Sequence, residues 1–581
     1  MIRTLMKSIR EYKRAAIETP IFVALEVLLE SILPFIMAQM INHMSEDSIR
    51  PVIHYGGMLI AAAMLSLFCG TMSARRAATA GTGYAKNLRK DIFYKVQDFS
   101  FSDVDRFSAS SLVTRLTTDV TNVQNAFQMI IRVAVRTPLM LIFAIVMSFS
   151  INARMALIFV AILPVIALAL FLIIRKATPI FHRIFKKYDA LNNSVQENVA
   201  GIRVVKSFVR EDYEKEKFGR ASEGVRQDFT HVEKIIALNS PVMTLCISLS
   251  MLLVCFLGTK MIIGTNGTAL NTGDLSALIT YGVQILVSVM MLSFVFVMIT
   301  MADESAHRIV EVLNYESTLN SPENPVEEVP DGRVDFDNVS FKYKAASKRK
   351  ALSGIDLHIA SGETVGIIGG TGSSKSTLIQ LIPRLYDVTE GSVRVGGIDV
   401  RNYDLEKLRD AVSVVLQKNV LFSGTIKENL RWGRKDATDE EIVEACKLAQ
   451  ADEFITQFPD GYDTYIEQGG TNVSGGQKQR LCIARAILKE PKVLILDDST
   501  SAVDTRTDAL IRQAFREKIP NTTKIIIAQR ISSVQDADQI VVLEGGRIVE
   551  HGNHEELIAK NGIYREIFDS QTKGKADRTN E

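Results

Sequence analysis

Long apolar runs crowd the first half of the chain, whereas the second half lacks them. A helix needs about 20 mostly apolar residues to cross a bilayer. Runs of that length with few charges lie at about 15–43, 51–75, 127–150, 154–175, 237–264 and 275–301. The pattern therefore predicts an all-α membrane domain over residues 1–314, with six transmembrane helices surrounded by a lipid bilayer.

Long polar segments separate the second span from the third and the fourth from the fifth. Within them apolar residues recur at helical spacing, as Leu88, Ile92 and Val96 do in the first segment. This spacing predicts that the spans continue into the cytoplasm as long helices and return. The alternative is a pair of peripheral loops, although few Gly or Pro residues interrupt the pattern.

Basic residues are distributed unevenly around the spans, with few in the short loops. Those of the N-terminus and the two long segments include Lys7, Arg10, Lys13, Arg14, Arg75, Arg76, Lys86, Arg89, Lys90, Lys95, Arg175, Lys176, Lys186, Lys187, Arg203, Lys206 and Arg210. Because positive residues stay on the cytoplasmic side, both termini and both long loops are predicted to be cytoplasmic. The expected location is the cell membrane (plasma or inner), crossed several times.

Two pairs of charged residues lie inside predicted spans. Glu26 and Glu30 are one helical turn apart in the first span, and Arg132 and Arg136 are one turn apart in the third. Charges within a membrane are unfavourable and suggest a function. One interpretation is a polar substrate cavity in which Glu26 and Glu30 attract cationic cargo. The alternative is that they pair with other helices, or that the arginines extend to the interface.

The second half begins after a polar stretch. Residues 315–332 contain three prolines and no apolar period, which indicates a linker. A soluble domain is predicted over residues 333–571, followed by a polar tail, 572–581, predicted to be disordered.

A phosphate-binding loop is predicted near the start of this domain. A short apolar strand, 364–368, runs into the sequence GGTGSSKST at 369–377, and a helical run follows. In this context backbone N–H groups face phosphates, Lys375 adds a positive charge and the Ser376 hydroxyl binds magnesium. The general pattern has glycine just before the lysine, where this chain has Ser374.

Further apolar strands also end in polar residues. Gln417 follows one, Asp497 and Asp498 end another, and Gln529 ends a third. An aspartate at the tip of an apolar strand is typical of a magnesium–nucleotide site. Gln417 could bind the metal or a water, or it could be a surface glutamine at a strand end.

With these motifs in order, the chain up to about residue 570 resembles a half-transporter of the ATP-binding-cassette (ABC) exporter family, with six spans followed by one α/β P-loop nucleotide-binding domain. The resemblance implies ATP and Mg²⁺ as cofactors. It implies that Tyr343 stacks on adenine, and that Ser376, Gln417 and Asp497 surround the magnesium. The residues implied to hold the phosphates are Gly369, Gly372, Ser373, Ser374, Lys375, Ser376 and Thr377.

The resemblance also implies a dimer, because one chain carries one nucleotide-binding domain and each ATP site is shared by two. Ser474, Gly475, Gly476 and Gln477 form the signature turn that would close on ATP held by the second domain. Asp504 would belong to the loop that follows the strand aspartates, the D-loop.

Two catalytic positions depart from the family pattern. Asp498 stands where the family has the general base glutamate, and Gln529 stands where it has a switch histidine. Aspartate is one methylene shorter, and a base misplaced by about 1 Å can slow a reaction on the order of 100-fold. With Ser374 as a third departure and the signature intact, we expect a degenerate ATP site in a heterodimer. The alternatives are a homodimer with two slow sites, gated by ATP binding, and a non-catalytic regulatory subunit.

The charge and composition of the chain limit the classes of molecule that it is expected to bind. The formal net charge is +1, from 67 basic and 66 acidic residues, which gives no reason to expect a nucleic-acid partner. The resemblance implies ATP-driven export. Glu26, Glu30 and the methionine-rich spans would suit small hydrophobic, amphipathic or cationic cargo, because methionine-rich surfaces adapt to varied ligands. Lipids and peptides stay open as cargo.

Overall fold

A computed structural model describes residues 1–44, 49–344 and 347–576. The chain divides into two compact units. The first comprises residues 1–97 and 109–315, and the second comprises residues 98–108 together with the chain from Glu316 onward.

The first unit is helical. Its helices, with α4 of the second unit between α3 and α5, are α1 (Ile2–Met6), α2 (Lys13–Asn42), α3 (Arg50–Gln97), α4 (Phe101–Phe107), α5 (Ala109–Thr114), α6 (Val120–Ile151), α7 (Ala153–Ala200), α8 (Ile202–Ser207), α9 (Glu211–Ile236), α10 (Asn239–Thr265) and α11 (Thr272–Asn314). Among the described residues, six helical stretches are long and apolar enough to cross a membrane, which confirms the predicted six-helix architecture.

The spans do continue as long helices. Helices α3 and α7 have 48 residues each, which at a rise of 1.5 Å per residue is about 72 Å, more than twice the apolar thickness of a bilayer. The polar parts are therefore ordered helix outside the apolar layer. Inside the unit, α2 packs against α3, α6 and α11, and α7 packs against α9 and α10.

Among its described residues, the second unit contains three sheets. Its strands are β1 (Val334–Phe341), β2 (Leu352–Ile359), β3 (Thr364–Ile368), β4 (Glu390–Val395), β5 (Ile398–Asp399), β6 (Val412–Val415), β7 (Gly424–Thr425), β8 (Tyr465–Ile466), β9 (Val493–Asp497), β10 (Thr523–Ile527), β11 (Gln539–Glu544) and β12 (Arg547–Gly552). The largest sheet has the order β12-β11-β3-β10-β9-β6, parallel except for β12. The other two sheets are an antiparallel sheet with the order β2-β1-β4-β5 and the two-stranded sheet β7-β8.

Helices cover the parallel sheet. They are α12 (Lys375–Gln380), α13 (Leu405–Ala411), α14 (Ile426–Leu430), α15 (Asp439–Leu448), α16 (Asp452–Ile455), α17 (Gly475–Leu488), α18 (Thr505–Lys518), α19 (His554–Ala559) and α20 (Ile563–Ala576). Strand β9 is buried along its whole length, as expected for a parallel strand covered on both faces. This confirms the α/β domain.

Two segments extend the second unit beyond the predicted soluble domain. Leu319 and Val329, in the stretch predicted to be a linker, are buried, and Val326 exchanges backbone hydrogen bonds with residues 402 and 404. Helix α4, from the first long polar segment, also belongs here, because Tyr386 donates a 2.9 Å hydrogen bond to Asp105. At the other end, α20 reaches Ala576, so it includes the start of the predicted tail, and residues 577–581 lie outside the described part.

Candidate nucleotide-binding site

The register of the parallel strands gathers the predicted polar residues at one edge. Ile527 of β10 pairs with both Asp497 of β9 and Ile367 of β3, and Val415 of β6 pairs with Leu496. The loops after these strands therefore leave the sheet side by side. This is the edge at which open α/β sheets bind ligands.

The phosphate loop has a left-handed turn at Ser374, whose φ is 73° and ψ is 26°. Glycine adopts this conformation freely, whereas other residues are strained in it. This explains why the general pattern has glycine at that position. Gly369 is required for another reason, since a Cβ there would lie 2.1 Å from the Leu543 carbonyl oxygen.

Lys375 curls back into the loop. Its Nζ donates to the carbonyl oxygens of Gly369 and Gly370, at 2.8 and 2.9 Å, and to the Ser373 hydroxyl at 3.3 Å. Burial lowers the pKa of the Lys375 amine, and the nearby carboxylates of Asp497 and Asp498 oppose that shift. The loop thus positions a positive charge in the cradle where phosphate oxygens would lie.

Asp497 and Ser376 form the pair best suited to a magnesium ion. Asp497 is buried and its carboxylate hydrogen-bonds the Ser376 side chain. Burial raises the pKa of Asp497, and the negative charge of Asp498 adds to the shift. Magnesium usually takes one or two carboxylates, a hydroxyl and phosphate oxygens, so this pair fits the ion and would hold it when MgATP is bound.

Asp498 is held by two glutamines. The Gln529 Nε2 donates to Asp498 Oδ2 at 2.7 Å, and the Gln417 side chain also hydrogen-bonds this carboxylate. Burial raises the pKa of Asp498, and these hydrogen bonds oppose the shift. Asp498 also has a positive φ of 50°. Gln417 therefore contacts Asp498 here, and its place among the magnesium ligands stays a prediction.

Tyr343 lies beside the phosphate loop with half of its surface exposed. Its hydroxyl is 2.8 Å from the Thr377 Oγ1 in the first turn of α12. Its ring meets those of Phe341 and Tyr386 edge to face. An exposed ring next to the loop is compatible with the predicted stacking on adenine, which stays a prediction.

The signature residues form the start of α17. Ser474 caps this helix: its Oγ accepts from the Gln477 backbone N–H, and the Gln477 Oε1 accepts from the Ser474 N–H at 2.9 Å. Ser474 and Gly475 are exposed. Gly476 packs so closely against the chain that a Cβ would lie 2.8 Å from the Ala502 carbonyl oxygen. Asp504 caps α18 by accepting from the Thr507 N–H, which lowers the pKa of Asp504.

The sequence reasoning missed Gln479, which joins the signature helix to the loop after Asp498. Its Nε2 donates to Ser501 Oγ at 3.2 Å and its Oε1 accepts from the Ala502 N–H at 3.0 Å. The Ser501 hydroxyl in turn donates to the Asp498 carbonyl oxygen at 2.9 Å. A signal did exist, because Gln479 shares the buried face of α17 with Ile483 and Ala486 at helical spacing.

In the helical unit, Glu26 and Glu30 share one arginine. Arg136 donates to Glu26 Oε1 at 2.6 Å and to Glu30 Oε2 at 2.7 Å. Ser73 also donates to Glu26. The interhelical pairing stated above as the alternative is thus what the structure contains, and two carboxylates around one guanidinium leave an excess negative charge. Their predicted contact with substrate stays a prediction.

Family models described as "ABC transporter transmembrane region" and "ABC transporter" match residues 17–290 and 352–501. The ABC transporter ATP-binding protein YfiB of Bacillus subtilis is 37% identical over 547 residues, 94% of each chain. The fatty acid ABC transporter ATP-binding/permease protein of Mycobacterium bovis is 34% identical over 482 residues, 83% of this chain and 75% of the relative. A solved bacterial Atm1-family ABC exporter with ATP bound covers 97% of this chain and 98% of its own, with 25% identity and a TM-score of 0.83.

Proposed function

The chain belongs to the ABC transporter family as an exporter half-transporter, and from that premise we propose that its own ATP site binds ATP and hydrolyses it slowly or not at all. The observation that carries this proposal is the Asp498 carboxylate. It is one methylene shorter than the general base of the family, and two glutamine side chains hold it.

The roles proposed for this chain's residues follow from their contacts. Lys375 and the backbone of the phosphate loop would bind the phosphates. Asp497 and Ser376 would hold Mg²⁺, which when bound supplies the positive charge that balances the transferring phosphate. Asp498 would have to accept a proton from the attacking water, which requires a distance of about 2.6–3.2 Å from it. Its short side chain and its bonds to glutamine disfavour that geometry.

We propose a heterodimer in which the partner supplies a working base. Ser474 to Gln477 would then close on the partner's ATP, and Asp498 and Gln529 would belong to a site that keeps the two nucleotide-binding domains together. Supporting this division, the signature turn has an intact capping box, while all three departures lie in the site that this chain builds itself. The second arrangement, a homodimer with two slow sites, would need only ATP binding to open the pore.

The proposed cargo is hydrophobic or amphipathic, with a preference for cationic compounds. The support is the excess negative charge of Glu26, Glu30 and Arg136, which lies in the apolar helices. The relative named as a fatty acid transporter makes amphipathic acids the competing class. Both termini and the soluble unit are proposed to be cytoplasmic, as the distribution of Lys and Arg indicates.

Two variants in the complex test the arrangement. The full chain is purified with the chain that co-purifies with it, and ATP hydrolysis is measured. Ser474→Arg should abolish fast hydrolysis, because it blocks the turn lent to the partner. Lys375→Ala should leave a substantial part of that hydrolysis, because it damages only the slow site. If both variants abolish hydrolysis equally, or if this chain alone hydrolyses ATP at about 10 s⁻¹, a common enzymatic rate, the degenerate-site proposal is wrong.

A further inference from the structure

Helix α20, the last helix among the described residues, contacts the backbone at Gln529, the predicted switch residue. The Gln571 Nε2 of α20 donates to the backbone carbonyl of Gln529 at 2.9 Å, and the Gln571 Oε1 accepts from the Ile531 backbone N–H at 2.9 Å. Chemistry fixes the orientation of this amide, because a carbonyl can only accept and an N–H can only donate. One side chain thus binds the backbone on both sides of Arg530.

Helix α20 does not depend on Gln571 for its attachment. Tyr564 is fully buried in the core of the second unit, and its hydroxyl is 2.7 Å from the His554 Nδ1. Glu550 accepts from the backbone N–H groups of both Ile563 and Tyr564. The first turns of the helix are therefore anchored, and Phe568 also packs against the core. Gln571 lies about one turn further along α20, beside the backbone of Gln529.

Gln571 continues a chain of contacts that ends at the nucleotide site. Gln529 accepts from Gln571 through its carbonyl and donates to Asp498 through its side chain. The backbone limits the rotamers that a side chain can adopt, so holding residues 529 and 531 in place limits where the Gln529 amide can point. The Gln417 bond to Asp498 would remain without this contact, but the Gln529 bond would have to be held by the strand end alone.

We propose that Gln571 is a positioning residue that holds the Gln529 switch against Asp498 and thereby lengthens the time for which this site retains MgATP. The inference rests on the proposed role of the site as a holder of ATP. It assigns the C-terminal helix a part in that role. The bond from Gln571 to the Gln529 carbonyl is the one that carries this role. Its loss, at ordinary hydrogen-bond strength, should speed release about fivefold.

The test measures dissociation of a fluorescent non-hydrolysable ATP analogue, with Mg²⁺, from the full chain in lipid nanodiscs. Gln571→Leu should release it about fivefold faster. Gln571→Glu should do the same, because a carboxylate still accepts from Ile531 but cannot donate to Gln529. Gln513→Leu is the matched control and should release at the original rate, since Gln513 bonds only Glu517 on the surface of α18 among the contacts described.

A double-variant cycle separates positioning from a structural role. Gln529→Ala combined with Gln571→Leu should release the analogue no faster than Gln529→Ala alone. Independent, multiplicative effects would overturn the proposal, as would release at the wild-type rate by Gln571→Glu. Rapid hydrolysis of ordinary ATP by this chain would instead refute the holding role and leave this cycle readable, because the analogue cannot be hydrolysed.

Discussion

The Gln529 amide lies 2.7 Å from the Asp498 carboxylate. A protonated histidine at position 529 would bring positive charge to this position, whereas glutamine brings only a dipole. The carboxylate is also the shorter of the two acidic side chains. Both properties act on the same proton transfer, so their effects should be tested together.

Restoring the family residues should raise hydrolysis. We expect Asp498→Glu with Gln529→His to increase the ATPase rate of the purified chain on the order of 10- to 100-fold, because the carboxylate moves about 1 Å toward the water. The rate is measured as phosphate release in nanodiscs. The control is Asp498→Asn with Gln529→His, which keeps the histidine without a base and should stay slow. An unchanged rate in the restored variant would place the defect elsewhere.

Replacing Ser374 with glycine should increase the affinity for ATP. Because Ser374 has a φ of 73°, Ser374→Gly should relieve strain of about 1 kcal/mol and tighten ATP binding several-fold. The opposite change, Gly372→Ser, is the matched control, since Gly372 has a φ of 79° and a Cβ there meets nothing within 4 Å. It should weaken binding through backbone conformation alone. ATP titrations decide the matter, and equal affinities in all three proteins would contradict it.

Acidification should weaken the binding of magnesium at Asp497. Burial raises the pKa of Asp497 above its ordinary value of 3.8, so the folded apo protein binds this proton more tightly than the unfolded chain does. The contribution of Asp497 to the free energy of unfolding therefore falls as the pH rises through this raised pKa. At pH values below the raised pKa, magnesium must compete with the proton for the Asp497 carboxylate. We expect MgATP affinity to drop on acidification at a pH above 3.8.

Asp497→Asn provides the control for that pH effect. It should remove the dependence and, at neutral pH, raise the unfolding temperature of the apo protein, because a buried charge is lost. Affinity for ATP measured in excess chelator should change little over the same range. If the affinity of the wild-type protein for MgATP stays constant as the pH is lowered to 3.8, the ordinary pKa of an aspartate, the prediction is wrong.

The pairing of Arg136 with Glu26 and Glu30 predicts unequal effects of substitution. Arg136→Gln leaves two carboxylates without their partner and should destabilise the protein by about 1–3 kcal/mol. Glu30→Gln keeps the guanidinium paired with Glu26, so it should cost less stability and should lower the ATP-driven uptake of a cationic dye into inverted vesicles. Export of a neutral dye is the control. If Glu26→Gln combined with Glu30→Gln leaves transport of the cationic dye unchanged, the interpretation of these glutamates as part of a substrate cavity is wrong.

Much of the fold and of the candidate site can be predicted from the sequence, because the patterns that indicate them lie within short stretches of the chain. Apolar length predicts the six helices, and a strand followed by GGTGSSKST predicts the phosphate loop. Contacts between residues that are far apart in the sequence could not be predicted in this way. No local pattern brings Arg136 to Glu26 across 110 positions, or Gln571 to Gln529 across 42. The buried stretch around Leu319 and Val329 also escaped prediction, because its polar, proline-rich composition resembles that of an exposed linker.

Gln479 has a consequence for how such a chain can change over generations. Through Ser501 and Ala502 it ties the turn at Ser474 to the backbone of Asp498. In the proposed heterodimer, a chain whose own site hydrolyses ATP slowly would still be constrained there. Substitutions around Asp498 that shift Ser501 would disturb the turn that serves the partner's site, so selection on the partner's activity would preserve the backbone of this chain's slow site.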